Sequence, residues 1–207
     1  MNANAATGSL LSRTLSHTDV RVSGRALAVL VAVALTALSA QFTLPFPGTA
    51  VPLVLTPLAV MLTGAVLGSR LGFLTQALYL AAGIAGLPVF APSLTLPPGA
   101  LRLIGPTGGY LLAYPVAAFV TGWLAERGWD RRYLTSLLSL LAGLAVIFAG
   151  GVSWLSLLPG QTLGSAIATG FLPFVLVDLA KAAVAAKILP VVWKFAGNPS
   201  GPATSRK

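Results

Sequence analysis

Arg25-Ala26-Leu27-Ala28-Val29-Leu30-Val31-Ala32-Val33-Ala34-Leu35-Thr36-Ala37-Leu38-Ser39-Ala40-Gln41-Phe42-Thr43-Leu44-Pro45 is the stretch that decides the fold. From Ala26 to Ala40 it carries no charge, and its only polar side chains are Thr36 and Ser39. A helix crossing a membrane needs roughly 20 mostly apolar residues to span the hydrocarbon. The same character extends over the chain, which is 56% hydrophobic and only 8% charged. Soluble domains carry about 25% charged residues, so this chain has too little polar surface to face water. A bilayer is the solvent that fits it.

Five further apolar runs follow, at about 52–68, 72–88, 107–125, 133–154 and 164–192, the last with Pro173 inside it. The intervening segments are turn-rich. They include Phe46-Pro47-Gly48-Thr49-Ala50, the proline-dense stretch 89–105 with Pro92, Pro97 and Pro98, and Pro159-Gly160. Proline density of that kind opposes continuous helix. The expected fold is all-α, an integral membrane bundle of six transmembrane helices over residues 24–193. Residues 1–23 and 194–207 are expected to be cytoplasmic tails. Runs two and three are short and bounded by Gly and Pro, which predicts an irregular bundle, and no internal repeat stands out.

The cations support this count. With six spans, Arg13, Arg21, Arg25, Arg70, Arg127, Arg131, Arg132, Lys187, Lys194, Arg206 and Lys207 fall on one side and Arg102 alone on the other. Cytoplasmic loops collect Lys and Arg, so both termini are expected in the cytoplasm of a multi-pass protein of the cytoplasmic membrane. The net charge of +9 is spread between apolar runs rather than gathered in a patch, which argues against nucleic acid. There is no cysteine, and the single histidine, His17, lies in the N-terminal tail. Neither a metal centre nor a cofactor is expected, and an enzyme is not.

Asp178 and Lys181 carry the strongest signal. They lie three residues apart in the sixth apolar run and so share a helix face. A charge at the centre of a membrane helix costs about 2.5–3.5 kcal/mol, so such residues pair or face a cavity. The pair either grips a polar guest or joins neighbouring turns as a structural ion pair. In Gly105-Pro106-Thr107-Gly108-Gly109-Tyr110 the glycines permit close backbone approach, to a ligand or to a packed helix. Arg102 is either an anion clamp or a solvated loop residue. Ala28, Ala32, Thr36 and Ala40 form a small-residue stripe suited to close helix contact, with a partner or within the bundle. Trp123, Trp129, Tyr133, Trp154 and Trp193 stand near span ends, as membrane-interface aromatics do.

Several of these segments together resemble the BioY family. They are Pro45-Phe46-Pro47-Gly48-Thr49-Ala50-Val51-Pro52-Leu53-Val54-Leu55-Thr56, Gly64-Ala65-Val66-Leu67-Gly68-Ser69-Arg70-Leu71-Gly72, Gly83-Ile84-Ala85-Gly86-Leu87-Pro88-Val89-Phe90, Gly105-Pro106-Thr107-Gly108-Gly109-Tyr110 and Asp178-Leu179-Ala180-Lys181, in order over about 25–190. The chain departs from the family pattern at Thr56, where glutamine is usual, and at Leu176-Val177, where Pro-Gly precedes the acid. It departs again at Pro97 and Leu111, where some members carry Asn and Arg.

The resemblance implies a biotin-binding S component of an energy-coupling-factor transporter, partnered by a transmembrane T component and two ATPase subunits. It implies a pocket near the outer face, roofed by the loop between the first two helices. Asp178 would accept from the ureido ring of biotin, Lys181 or Arg102 would meet the carboxylate, and Phe90 and Tyr110 would cover the ring system. Thr56 and Thr107 fall within the matching motifs, and Ala28 and Ala32 would contact the T component. The alternatives are an S component for another vitamin, or a proton-coupled carrier using Asp178 and Lys181.

Overall fold

Alanine, leucine and valine make the first apolar run a helix, and in the computed structural model it is α1, Arg21–Gln41. The structure describes residues 21–93 and 96–196; His17 and most of both expected tails lie outside the described residues. After α1 comes a small antiparallel hairpin, β1 (Thr43–Leu44) and β2 (Leu53–Val54), with Thr43 opposite Val54 and Leu44 opposite Leu53. The remaining helices are α2 (Thr56–Leu67), α3 (Ser69–Ile84), α4 (Leu101–Ile104), α5 (Gly108–Ala125), α6 (Tyr133–Ser156), α7 (Leu163–Gly170) and α8 (Leu172–Ala196). A 3-10 turn, Trp129–Arg131, precedes α6. The fold is therefore helical as expected, with one short hairpin that the sequence pattern did not signal.

Three helical segments are long and apolar enough to cross a membrane, Ser23–Gln41, Gly108–Ala125 and Tyr133–Ser156. A fourth span arises if Leu163–Gly170 and Leu172–Val191 count as one, since they meet at a bend of 45°. The run expected at 164–192 is thus broken. Phe171 leaves helical geometry at φ −122, and Pro173 follows in the first turn of α8. Proline lacks the N–H that would continue the ladder and disfavours helical geometry in the residue before it. Helix α2 has 12 residues and α3 has 16. At 1.5 Å per residue they reach only about 18 and 24 Å, short of the roughly 30 Å of hydrocarbon. They meet at Gly68, whose φ of 86 is open to glycine and strained for other residues.

Helix α5 is the axis of the bundle, packed by α2, α3 and α6. The contacts are built from small residues. A side chain at Gly64 would strike the Ala118 carbonyl, and one at Gly109 would strike Trp154 and the Gly150 carbonyl. Such approaches let helices pack where lipid supplies no hydrophobic drive. Outward, Leu30, Leu35, Leu134, Leu138, Leu176 and Val184 are exposed, as a lipid-facing surface requires. The stripe on α1 turns inward: Ala32, Thr36 and Ala40 are buried, and Ala28 and Ala32 pack with Val29 and Leu67. Their small size serves closure of α1 onto the bundle, while Leu27, Leu30 and Leu38 form its outer face.

Gly64→Ala would place a methyl group against the Ala118 carbonyl. It should cost about 1–3 kcal/mol by overpacking, read as a lower thermal-unfolding midpoint in detergent. Gly164→Ala, where a new Cβ meets nothing closer than Thr162 at 3.8 Å, should leave the midpoint unchanged.

Candidate ligand cavity

The break before α8 sets the register of its inner face. Phe174 and Asp178, four residues apart, are both buried and share that face. Asp178 is 5% exposed, and its Oδ1 accepts from Lys181 Nζ at 2.8 Å. The same ammonium donates to the Val54 carbonyl of β2 at 2.8 Å. The second carboxylate oxygen of Asp178 makes no hydrogen bond among the described residues and is left for a guest.

Asp178 opens onto a cavity of about 340 Å³. This lies at the small end of the range of about 300–1,000 Å³ for small-molecule sites and suits one compact ligand. The hairpin and its tip, with Phe46, Thr49 and Ala50, form one side. Phe90 and Arg102 come from the 88–106 segment, Thr107 from the turn before α5, Tyr110, Leu111 and Tyr114 from α5, and Phe148 from α6. The rings are packed against one another. Phe90 meets Tyr79 edge-on at 5.4 Å, and Phe46 meets Phe174 at 6.0 Å. The wall is largely apolar and carries one carboxylate and one guanidinium, the arrangement that fixes orientation in a small-molecule site.

Arg102 is buried rather than solvated, at 8% exposure. Its Nη1 donates to the Leu96 carbonyl at 3.5 Å, a long contact that satisfies little of a five-donor group. Burial lowers its pKa from the ordinary value, and the Tyr79 hydroxyl nearby opposes that shift. An incoming anion would relieve the same cost. Leu111, at the position where some family members carry Arg, is a buried apolar part of the wall.

Of the residues singled out in the sequence, Asp178, Arg102, Phe90, Thr107, Tyr110 and Thr56 line this one cavity. Lys181 does not; it stands behind Asp178, spent on the carboxylate and on Val54. Ala28 and Ala32 lie elsewhere, in the α1 packing. Trp154, expected at the membrane interface, has a structural task as well: its Nε1 donates to the Gly105 carbonyl at 3.0 Å and holds the turn before α5. Tyr79, Tyr114, Phe148 and Phe174 also line the cavity and were not singled out. Two of them carried a signal, since Tyr114 follows Tyr110 and Phe174 precedes Asp178 by four residues, one helical turn.

Tyr110 does more than cover a ligand. Its hydroxyl donates to the Gly170 carbonyl at 2.7 Å, at the broken end of α7, and its ring packs on Gly151. It joins α5, α6 and the break that aims α8. Tyr110→Phe keeps the ring and should cost about 1 kcal/mol of stability, measured by thermal unfolding. The pinned break predicts that amide exchange at 169–174 rises in this variant.

The chain is a helical bundle with a ligand-sized cavity at its hairpin end. The structure superimposes with a TM-score of 0.76 on the crystal structure of the S component for biotin from an ECF-type ABC transporter, at 23% identity, over 86% of this chain and 95% of that one. The BioY family model matches residues 12–198, and the chain belongs to that family. Among its relatives is the biotin transporter BioY of Thermotoga maritima, 44% identical over 67% of this chain and 78% of the relative. Another is the probable biotin transporter BioY of Pyrococcus horikoshii, 42% identical over 74% of this chain and 86% of the relative.

Proposed function

We propose that this chain binds biotin and carries it across the cytoplasmic membrane as the substrate-specific S component of an energy-coupling-factor transporter. The observation that carries the reading is the free oxygen of Asp178 in an aromatic cavity shared with Arg102. Biotin has the complementary chemistry: ureido N–H donors at one end, a carboxylate at the other, and an apolar body between. Asp178 accepts from the ureido ring, Arg102 meets the carboxylate, and Phe90 and Tyr110 cover the middle. Thr56 and Thr107 add hydroxyls to the wall. Relatives more than 40% identical named as biotin transporters support the ligand.

The chain works by binding and reorientation, with no bond-making chemistry of its own. A T component and two ATPase subunits supply the drive. In this arrangement α2 and α3 are the short second and third of six spans, and both termini are cytoplasmic. Glu126 supports that topology, since its carboxylate accepts from Ser69 N at 2.8 Å and so brings Arg70 and the Arg127–Arg132 segment to one end. Ala28 and Ala32 on α1 are the contact with the T component in this reading.

Calorimetric titration of the purified chain with biotin, thiamine, riboflavin and niacin tests the ligand: biotin alone should bind, and binding of another vitamin in its place would overturn the assignment. Asp178→Asn should weaken biotin by about 10–100-fold, the worth of a charge-assisted hydrogen bond. Arg102→Ala should weaken biotin by a similar factor and leave its alcohol analogue, biotinol, unaffected; equal losses for both would remove Arg102 from the carboxylate.

A further inference from the structure

We propose that Gln41 is a positioning residue for ligand selectivity: from the last position of α1 it holds the main chain around Phe90, and so sets how closely that ring fits the body of the ligand. The inference rests on the reading that Phe90 covers the ring system of biotin. Residues 88–93 belong to no helix or strand, so no backbone ladder fixes the course of the chain through Phe90. Side chains do so instead. Three successive carbonyls accept from them: Pro88 from Gln41 Nε2 at 3.2 Å, Val89 from the Tyr79 hydroxyl at 3.2 Å, and Phe90 from Gln41 Nε2 at 3.4 Å.

The same amide nitrogen reaches the Ala37 carbonyl, one turn back in α1, at 3.2 Å. Three carbonyl oxygens around one atom identify it as the nitrogen, since an amide oxygen there would meet only acceptors. The contact within α1 fixes the side chain, and the other two reach across 47 and 49 residues to the cavity wall. The Phe90 ring is confined on its other sides. It meets Tyr79 edge-on at 5.4 Å, and a Cβ at Gly83 would run into it. Phe90 is buried and lines the cavity, whereas Gln41 is exposed and stands outside the wall. Gln41 therefore acts on the ligand through Phe90, and replacing it leaves no hole in the core.

A displaced Phe90 ring loses contact with the sulfur-containing ring of biotin. Desthiobiotin lacks that ring and keeps the ureido and carboxylate groups, so calorimetric titration of the full chain in nanodiscs with both ligands isolates this contact. Gln41→Met keeps the length of the side chain and removes its donors. It should weaken biotin about tenfold and desthiobiotin by no more than about twofold. Gln41→Lys, which returns a donor, should bring biotin binding to within about threefold of the parent. In a Phe90→Ala background, Gln41→Met should change biotin affinity by less than about twofold, because the group it positions is gone. Biotin affinity unmoved by Gln41→Met would overturn the proposal. So would equal losses for the two ligands, or the same loss persisting in Phe90→Ala.

A readout without ligand keeps the grip on Phe90 separate from the ligand assignment. With 4-fluorophenylalanine at position 90, the fluorine resonance should shift or broaden in Gln41→Met and return to the parent signal in Gln41→Lys. A parent that ignores biotin while this change persists would uphold the grip and refute the ligand reading. A resonance identical in the parent and Gln41→Met would refute the grip itself.

Discussion

A carboxylate and an ammonium 2.8 Å apart on one turn of a helix, in a stretch from Leu172 to Ala186 that is otherwise apolar, are the constraint on which the rest of this bundle depends. Neither charge is tolerable alone in hydrocarbon. Together they are still poorly solvated, and the bundle answers by supplying a backbone carbonyl, Val54, to the lysine. The remaining oxygen of Asp178 is compensated by nothing else in the protein that is described. A polar group held in this condition is ready to accept a hydrogen bond from a ligand, because little has to be broken to make it.

Placing that acid requires the neighbouring architecture. A straight helix through 163–191 would meet the bundle at a single angle; the 45° bend separates the aim of α7 from that of α8. Tyr110 stabilises the bend from α5, by way of the Gly170 carbonyl that the break leaves without its usual helical partner. The close approach of α5 and α6 at Gly109 and Gly150 brings Tyr110 near enough to do so. Trp154 in turn fixes the turn at Gly105 from which α5 starts. The cavity is a consequence of these contacts at one end of the bundle, while the other end is fastened by Glu126 on Ser69.

Much of this was legible in the sequence, for identifiable reasons. Long uninterrupted apolar runs gave α1, α5 and α6 nearly to their ends, because helix formation in lipid has little competition. Asp178 stood out as a charge where charges are costly, and Arg102 as the lone cation on its side of the expected topology. The break at Phe171 was harder, since Pro173 alone does not say whether a membrane helix kinks or ends. The position of Lys181 behind the wall was not readable, because its carbonyl partner on β2 is fixed by tertiary structure and Val54 differs in no way from its apolar neighbours. The alanine stripe suits a partner contact and packing within the bundle alike, because small side chains serve both; Ala32, Thr36 and Ala40 are buried on the bundle side. Tyr79 and Tyr114 carry no charge to mark them within apolar runs.

A structure of the chain with biotin bound tests the central claim most directly. A ureido N–H should lie within about 2.7–3.2 Å of the Asp178 oxygen that Lys181 does not hold, with the biotin carboxylate directed toward Arg102. A ligand lying the other way round, with its carboxylate on Lys181 and its ureido ring away from Asp178, would contradict it.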